Sequence, residues 1–139
     1  MASTTFTGAV TSKNGFIAGH QVTTANAINA TATATAAQVA TGYITSTSAA
    51  ATVITLPTGT LLGAALNAVQ GTTFDLLIDN TAGASTVTIV VAVNGILSTA
   101  AADSAASFGD LTVAAGVTGL GRYTIMFSSA TAYVFTRTA

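Results

Sequence analysis

Two aspartates on one short segment are the residues of this chain best placed to do chemistry. Residues 74–80 read FDLLIDN, and Asp75 and Asp79 within them are two of the four acidic residues. A pair of carboxylates could serve as the acid and base of a glycosidase if the two groups lay within about 9.5 Å. On one face of a strand, which rises about 3.3 Å per residue, positions four apart are separated by about 13 Å. The spacing therefore predicts two framework residues, with Asp79 and Asn80 capping a turn at the strand end.

The remaining candidates for chemistry are isolated. His20 is the single histidine, and no Gly-x-Ser-x-Gly segment supplies the activated serine of a Ser-His-Asp site. Asp103 and Asp110 lie in a small-residue loop whose oxygens could hold calcium, an alternative that stays open although the spacing is not that of an EF-hand. We expect no catalytic residue, no metal ligand and no cofactor, and we predict that the protein is not an enzyme. A small hydrolase acting through His20 is the weakest alternative.

The composition predicts a chain that is buried in an assembly. Only 5% of its 139 residues are charged, against about 25% in typical domains. Half of the residues are hydrophobic, but Ala, Thr and Gly make up much of the chain. A monomer would therefore expose a wide, weakly hydrated surface, and large exposed apolar patches usually mark interfaces. We expect one domain that forms a homo-oligomer or belongs to a lattice.

Two classes of partner are not expected. The basic residues are Lys13, Arg122 and Arg137 and the net charge is −1, too little for the several phosphate contacts that bind nucleic acid. The most apolar window, Ala49–Val69, is interrupted by Pro57 and by glycines, so it predicts a strand, a turn and a short helix rather than a membrane span. The opening residues MASTTFTG lack the basic and apolar regions of a secretion signal.

Short β-branched and apolar runs, separated by turn residues, dominate the chain from residue 51 onward. They predict an all-β fold, an antiparallel β-sandwich or a jelly-roll-like domain with one short helix, spanning residues 25–139. Asn94-Gly95 predicts a hairpin turn. The predicted strands are Thr52–Leu56, Thr72–Asp79, Ser85–Val93, Leu111–Ala114, Arg122–Ser128 and Ala132–Arg137. Thr58 or Thr60 caps a predicted helix that includes Leu62 and runs through Ala64–Val69.

Residues 1–24 carry turn signals and scattered apolar side chains without helical spacing. They predict either an extended N-terminal arm that lies on another subunit or an ordinary first pair of strands. The candidate anchors of such an arm are Phe6, Val10, Phe16 and Ile17.

The low-complexity stretch Ala25–Ala51 contains a Thr-x-Thr row, Thr31, Thr33 and Thr35, whose hydroxyls would share one face of a strand. Such rows can match ice. Ice binding would require the row to recur at a fixed solenoid period, and the sequence has no such period, so this activity is not expected.

Three residues are candidates for a subunit interface. Phe74, Leu76 and Ile78 should face the core, which leaves Leu77 on the face of the two aspartates. We expect a neighbouring subunit or segment to cover that face. Arg122 and Arg137 flank the terminal hairpin and could bind aspartates across a subunit boundary, or they could simply keep edge strands from aggregating.

Three segments resemble small structural proteins of tailed-bacteriophage virions, in particular capsid decoration (cement) proteins and head-fibre proteins. They are TTFTGAVTSKNGF near the start, ITLPTG followed by ALNAVQGTTFDLLIDNTAGASTVTIVVAVNG in the centre, and RYTIMFSSATAYVFTRT at the end. The resemblance implies sandwich or jelly-roll-like subunits, often homotrimers, that are made in the host cytoplasm and bind the major capsid protein on the virion surface. It also makes Phe6, Val10, Phe16 and Ile17 candidate capsid contacts.

A tail-fibre or receptor-binding module that recognises host surface glycans is the alternative function. Sugar platforms usually need exposed aromatic faces, and the chain has three tyrosines and no tryptophan. We therefore rank it below the capsid-binding function.

Overall fold

Two β-sheets make up most of the structure, a computed structural model that describes residues 26–97 and 111–138. One sheet has four strands in the order β1-β3-β5-β7, and the other has five in the order β2-β4-β8-β9-β6. The elements are β1 Ala32–Thr33, α1 Ala36–Ala40, β2 Tyr43–Thr45, β3 Thr52–Thr55, α2 Gly59–Leu66, β4 Thr73–Asp79, β5 Val87–Val90, β6 Gly95–Leu97, β7 Thr112–Val113, β8 Leu120–Ser129 and β9 Ala132–Arg137. The prediction of a β-rich chain with little helix is confirmed.

The strand pairing is mixed, which corrects the expectation of antiparallel sheets. The pairs β1/β3, β3/β5, β2/β4 and β6/β9 are parallel, whereas β4/β8, β8/β9 and β5/β7 are antiparallel. The physical reason is the route of the chain, because strands β1 to β7 enter the two sheets alternately. In the parallel pairs β1/β3, β3/β5 and β2/β4 the neighbours are therefore two strands apart in sequence, and the strand between them lies in the other sheet and belongs to the crossover that parallel pairing requires.

The Asn94-Gly95 turn is one of the places where the chain passes from one sheet to the other. Asn94 has a φ of 64°, as a tight turn requires. The turn leads from β5 in one sheet to β6 in the other, so the prediction of a hairpin at this point is wrong. The predicted terminal hairpin is confirmed, since β8 and β9 pair antiparallel with a bulge between Phe127 and Ser129.

The core lies between the sheets and is built from alternate residues of each strand. Leu76 and Ile78 are fully buried, and Phe74 is half-buried against the same cluster. Tyr123 stacks on Phe135 with ring centroids 4.8 Å apart, a contact that adds to the burial of both rings. The burial of Leu76 and Ile78 confirms the prediction that this face of β4 is apolar and faces the core. The buried hydrophobic residues are Ile28, Ala34, Val39, Ile44, Ile54, Leu56, Leu62, Ala68, Leu76, Ile78, Val87, Ile89, Val113, Tyr123, Ile125, Phe127, Tyr133 and Phe135.

Helix α2 begins after Thr58, one of the two predicted caps, and ends at Leu66, three residues before the predicted end at Val69. Thr58 is its N-cap, accepting a hydrogen bond from the backbone N–H of Leu61 at 3.3 Å, and the helix ends where Asn67 adopts a φ of 49°. Its Gly59 and Gly63 lie against the β8–β9 turn, because a Cβ added at Gly63 would stand 2.0 Å from the carbonyl oxygen of Ala130. The backbone of the helix therefore packs directly against the backbone of the turn, with no side chain between them at Gly59 and Gly63.

The Thr-x-Thr row does not form one continuous strand. Thr33 is in β1, but Thr35 caps helix α1, where Thr35 and Gln38 form a reciprocal capping box. Thr31 accepts a hydrogen bond from the backbone N–H of Val53 at 3.1 Å. Helix α1 was not predicted, since its alanines have no strong apolar periodicity.

Candidate functional site on the outer face of the five-stranded sheet

The outer face of the five-stranded sheet carries both aspartates of β4. Asp75, Leu77 and Asp79 alternate with the buried Leu76 and Ile78 and are themselves half-buried. The register places Tyr43 of β2 and Arg122 of β8 on either side of Leu77. Leu77 and Arg122, both predicted at a subunit interface, are therefore direct neighbours on one face.

Asp79 closes the end of β4. Its Oδ1 accepts hydrogen bonds from the backbone N–H of Thr81 at 3.0 Å and from the Thr81 hydroxyl at 2.6 Å. Its Oδ2 accepts one from the Tyr43 hydroxyl at 2.6 Å. The bonds from Thr81 and then Tyr43 lower the pKa of Asp79, and the same bond to Asp79 raises the pKa of Tyr43. The predicted turn-capping role of Asp79 is confirmed.

Asp75 has a separate set of partners. Arg122 forms an ion pair with Asp75 Oδ2, and the Thr124 hydroxyl donates to Oδ1 at 2.9 Å. The two aspartates are thus held by different groups on different strands. The arginine expected to reach across a subunit boundary finds its acidic partner within the same chain.

Arg137 lies on the opposite face of β9 and joins the two sheets. Its Nη1 donates to the carbonyl oxygen of Thr112 in β7 at 2.9 Å, and its guanidinium carbon lies 6.0 Å from the centroid of the Tyr123 ring. Arg137 is therefore not brought together with Leu77 and Arg122.

An apolar row crosses three strands of the outer face. Ile96 of β6 is opposite Val134 of β9, which is opposite Met126 of β8. Ile96 is 54% exposed and Met126 45% exposed, and Val134 is half-buried between them. Leu120 on the same face of β8 is also exposed. We call Ile96, Val134 and Met126 the apolar row.

Sequence reasoning missed this row. The alternation in RYTIMFS could have placed Met126 on the outer face beside Arg122. Nothing in the sequence indicates that β6 lies next to β9, because the two strands are more than thirty positions apart and pair in parallel.

Asn80, directly after Asp79, connects the two sheets. Its side chain is fully buried, and Nδ2 donates to the carbonyl oxygens of Ser85 at 2.9 Å and Ala114 at 2.8 Å. Its backbone N–H donates a hydrogen bond to the carbonyl oxygen of Gly119 at 2.6 Å. A Cβ added at Gly83 would lie 2.0 Å from Asn80 Oδ1, so only glycine at position 83 leaves room for this amide. Asn80 was predicted only as part of a turn cap, and its burial depends on contacts distant in sequence.

The other candidates lie outside the described residues. This applies to the arm at residues 1–24 with Phe6, Val10, Phe16 and Ile17, to His20, and to Asp103 and Asp110. Within residues 26–97 and 111–138, no three His, Asp or Glu side chains form a group that could hold a metal ion. In the same residues, neither helix has the length and apolar character needed to cross a bilayer.

Comparison of the chain with known protein families, characterised proteins and solved structures gives no match.

The lowered pKa of Asp79 predicts part of the stability that the fold loses on acidification. A carboxyl whose folded pKa is below its unfolded value stabilises the fold above the unfolded pKa, and this stabilisation is lost as pH falls through the folded pKa. We expect the Asp79→Asn variant to lose less stability than the wild type on acidification below about pH 4. Urea midpoints between neutral and strongly acidic pH would measure this. Tyr43→Phe should shift the acid transition in the same direction but less, and equal acid slopes for wild type and Asp79→Asn would contradict the assignment.

Proposed function

We propose that this chain is a non-enzymatic structural protein of a virion that binds the outer surface of a phage capsid and stabilises it by bridging neighbouring capsomers. The resemblance of three segments to decoration and head-fibre proteins supports this function, and so does the low content of charged residues. Two β-sheets packed over one core are compatible with the sandwich or jelly-roll-like subunit that the resemblance implies, with mixed strand pairing. The major capsid protein is the proposed partner and the capsid surface is the proposed location.

The apolar row is the structural observation that supports the self-association of this chain in the proposal. A partner that buries Ile96, Val134 and Met126 would gain about 25 cal/mol for each Å² of apolar surface removed from water. The ion pair of Asp75 and Arg122 lies on the same face and already balances its own charges. Covering the face would therefore not place an unmatched charge from this pair against a neighbouring subunit.

We assign the apolar row to contacts between copies of this chain and the N-terminal residues to contacts with the capsid. In this assignment the candidate anchors Phe6, Val10, Phe16 and Ile17 bind the shell. Several anchors on one oligomer add their affinities, because each later contact forms within the same complex. A homotrimer, as the resemblance implies, would reach three neighbouring capsomers at once.

One variant tests both parts of this proposal. Met126→Glu places a charge in the apolar row, and we expect it to raise the dissociation constant of the oligomer by about a hundredfold or more. Light scattering coupled to size-exclusion chromatography would measure the oligomer, and co-sedimentation with undecorated capsids would measure copy number. The variant should bind capsids more weakly because it loses multivalency.

Leu61→Glu is the matched control, since Leu61 is 59% exposed on helix α2 and away from the apolar row. It should keep the oligomeric state and the capsid copy number of the wild type. A wild-type chain that stays monomeric and fails to sediment with capsids would disprove the proposal.

The positions of the tyrosines give less support to glycan recognition. Tyr123 and Tyr133 are fully buried, and Tyr43 is half-buried with its hydroxyl bound to Asp79. In the described part of the chain no tyrosine is therefore fully exposed, as a stacking platform for a sugar would be. Specific binding of this chain to sugars on a glycan array would favour glycan recognition over capsid binding.

A further inference from the structure

The turn that leads into β6 contains an asparagine followed by a glycine, and its geometry favours the first and requires the second. Asn94 has a φ of 64°, which asparagine adopts more readily than most residues. A Cβ added at Gly95 would lie 2.7 Å from the Tyr133 hydroxyl oxygen and 2.8 Å from Val91 Cβ. Tyr133 is fully buried and its hydroxyl donates to the carbonyl oxygen of Pro57 at 3.0 Å, which holds its ring in place. Position 95 therefore accepts only glycine.

An asparagine followed by a glycine is chemically labile. Glycine has no side chain to block the approach of its backbone nitrogen to the amide carbon of the preceding asparagine. The Asn94 side chain is exposed, so water reaches the amide. The packing around Gly95 therefore keeps a reactive pair of residues at an accessible turn.

We propose that Asn94 is a site of spontaneous deamidation in the folded protein. The Gly95 nitrogen gives its proton to water or hydroxide and bonds to Cγ of Asn94, and the amide nitrogen leaves as ammonia. Water then opens the cyclic imide. Opening at Cγ leaves aspartate, and opening at the main-chain carbonyl carbon leaves isoaspartate. The modification is independent of the proposed capsid function.

Asn67 provides a comparison within the same chain. It is also exposed and has a φ of 49°, but the residue that follows it is Ala68. The nitrogen that would attack is hydrogen-bonded in both turns. Gly95 donates to the carbonyl oxygen of Ala92 at 3.0 Å, and Ala68 donates to that of Gly63 at 2.9 Å. A difference in rate between the two asparagines therefore measures the effect of the glycine.

The hydrogen bond at Gly95 also predicts that the folded chain reacts more slowly than the unfolded chain. While the Gly95 N–H donates to Ala92, the nitrogen cannot lose its proton and turn toward the Asn94 amide. The reaction in the folded protein therefore requires local opening of the turn, which costs less free energy than global unfolding.

The product changes how β6 is held. The main-chain carbonyl oxygen of Asn94 accepts a hydrogen bond from the Tyr133 N–H of β9 at 3.0 Å. In isoaspartate this carbonyl becomes a carboxylate, and the chain continues through the former side chain, which lengthens the main chain by a methylene group. The start of β6 is then released from β9. The net charge of the chain is only −1, so the added carboxylate is also a large electrostatic change.

The test incubates the purified full chain in mildly alkaline buffer and maps its peptides by mass spectrometry. We expect aspartate and isoaspartate to accumulate at Asn94 about tenfold or more faster than at Asn67, which corresponds to about 1.4 kcal/mol of activation free energy. The rate at Asn94 should rise in urea, because the turn is open. Ala68→Gly creates another Asn-Gly pair and should raise the rate at Asn67. Asn94→Gly keeps the positive φ accessible and should abolish the modification at this position.

The effect on β6 is measured in an Asn14→Ser chain, which lacks the Asn-Gly pair outside the described residues. Copies modified at Asn94 carry an added negative charge and are collected by anion exchange. Their Tyr133 amide should exchange its hydrogen with solvent faster than in unmodified copies, and unchanged exchange would contradict the release of β6. Equal rates at Asn94 and Asn67 in the folded chain overturn the proposal. An unmodified Asn94 in the folded chain, after the urea-unfolded chain has been converted, also overturns it.

Discussion

Replacing Asn80 by aspartate is expected to destabilise the protein by about 3–5 kcal/mol at neutral pH, since a buried charge would be left uncompensated. Nδ2 of Asn80 donates to the carbonyl oxygens of Ser85 and Ala114. A carboxylate of the same shape would lose both bonds and bring negative charge against these oxygens. The loss is comparable to the whole stability of a marginal domain, about 5–15 kcal/mol, and urea unfolding followed by circular dichroism would measure it.

The pH dependence of the Asn80→Asp variant separates charge from shape. Burial raises the pKa of the introduced carboxyl above its unfolded value, so the variant is destabilised most at high pH and recovers part of the loss as the carboxyl is protonated on acidification. Asn29→Asp is the matched control, because Asn29 Oδ1 accepts a hydrogen bond from Thr47 at 2.8 Å. A carboxylate keeps that bond, and the change should stay within about 0.5 kcal/mol. Equal losses in the two variants would contradict the role of Asn80.

Replacing Gly63 by alanine is expected to destabilise the protein by about 2 kcal/mol, although alanine favours a free helix by about 1 kcal/mol over glycine. The added Cβ would lie 2.0 Å from the carbonyl oxygen of Ala130 and 3.3 Å from the Phe127 ring. The backbone oxygen cannot rotate away as a side chain can, so α2 must move off the β8–β9 turn. Urea midpoints and slopes would measure the change.

Thr60→Ala on the same helix is the control for helix propensity. Thr60 is exposed, so the substitution should be neutral or slightly stabilising. If Gly63→Ala also stabilised the protein, the close contact between α2 and the turn would be wrong.

Local patterns predicted much of the secondary structure. Alternation identified β4 and the terminal hairpin, because a half-buried strand requires period two and the pattern appears within a few residues. Thr58 was correctly considered as a cap for α2. The predicted end of the helix at Val69 was wrong, because the chain leaves the helix at Asn67, which adopts a φ of 49°.

Pairing between distant strands could not be predicted in this way. The parallel pairs β6/β9 and β3/β5 depend on the lengths of segments that cross to the other sheet. The same limit applies to the candidate site. Leu77 and Arg122 were found from alternation on single strands, whereas the apolar row and the partners of Asn80 arise only when separate strands meet.

The order of the five-stranded sheet has a consequence for synthesis. Its central strand, β8, and the adjacent β9 follow the other three strands of this sheet, β2, β4 and β6, in the chain and are therefore made after them. Until β8 and β9 emerge, β6 has no hydrogen-bonded neighbour in its sheet and β4 has a neighbour on one edge only. The nascent chain must therefore hold its apolar strands without a complete core until β8 and β9 have been made. β8 and β9 then insert between β4 and β6 and complete the sheet. This late step forms long-range contacts and is therefore intrinsically slow.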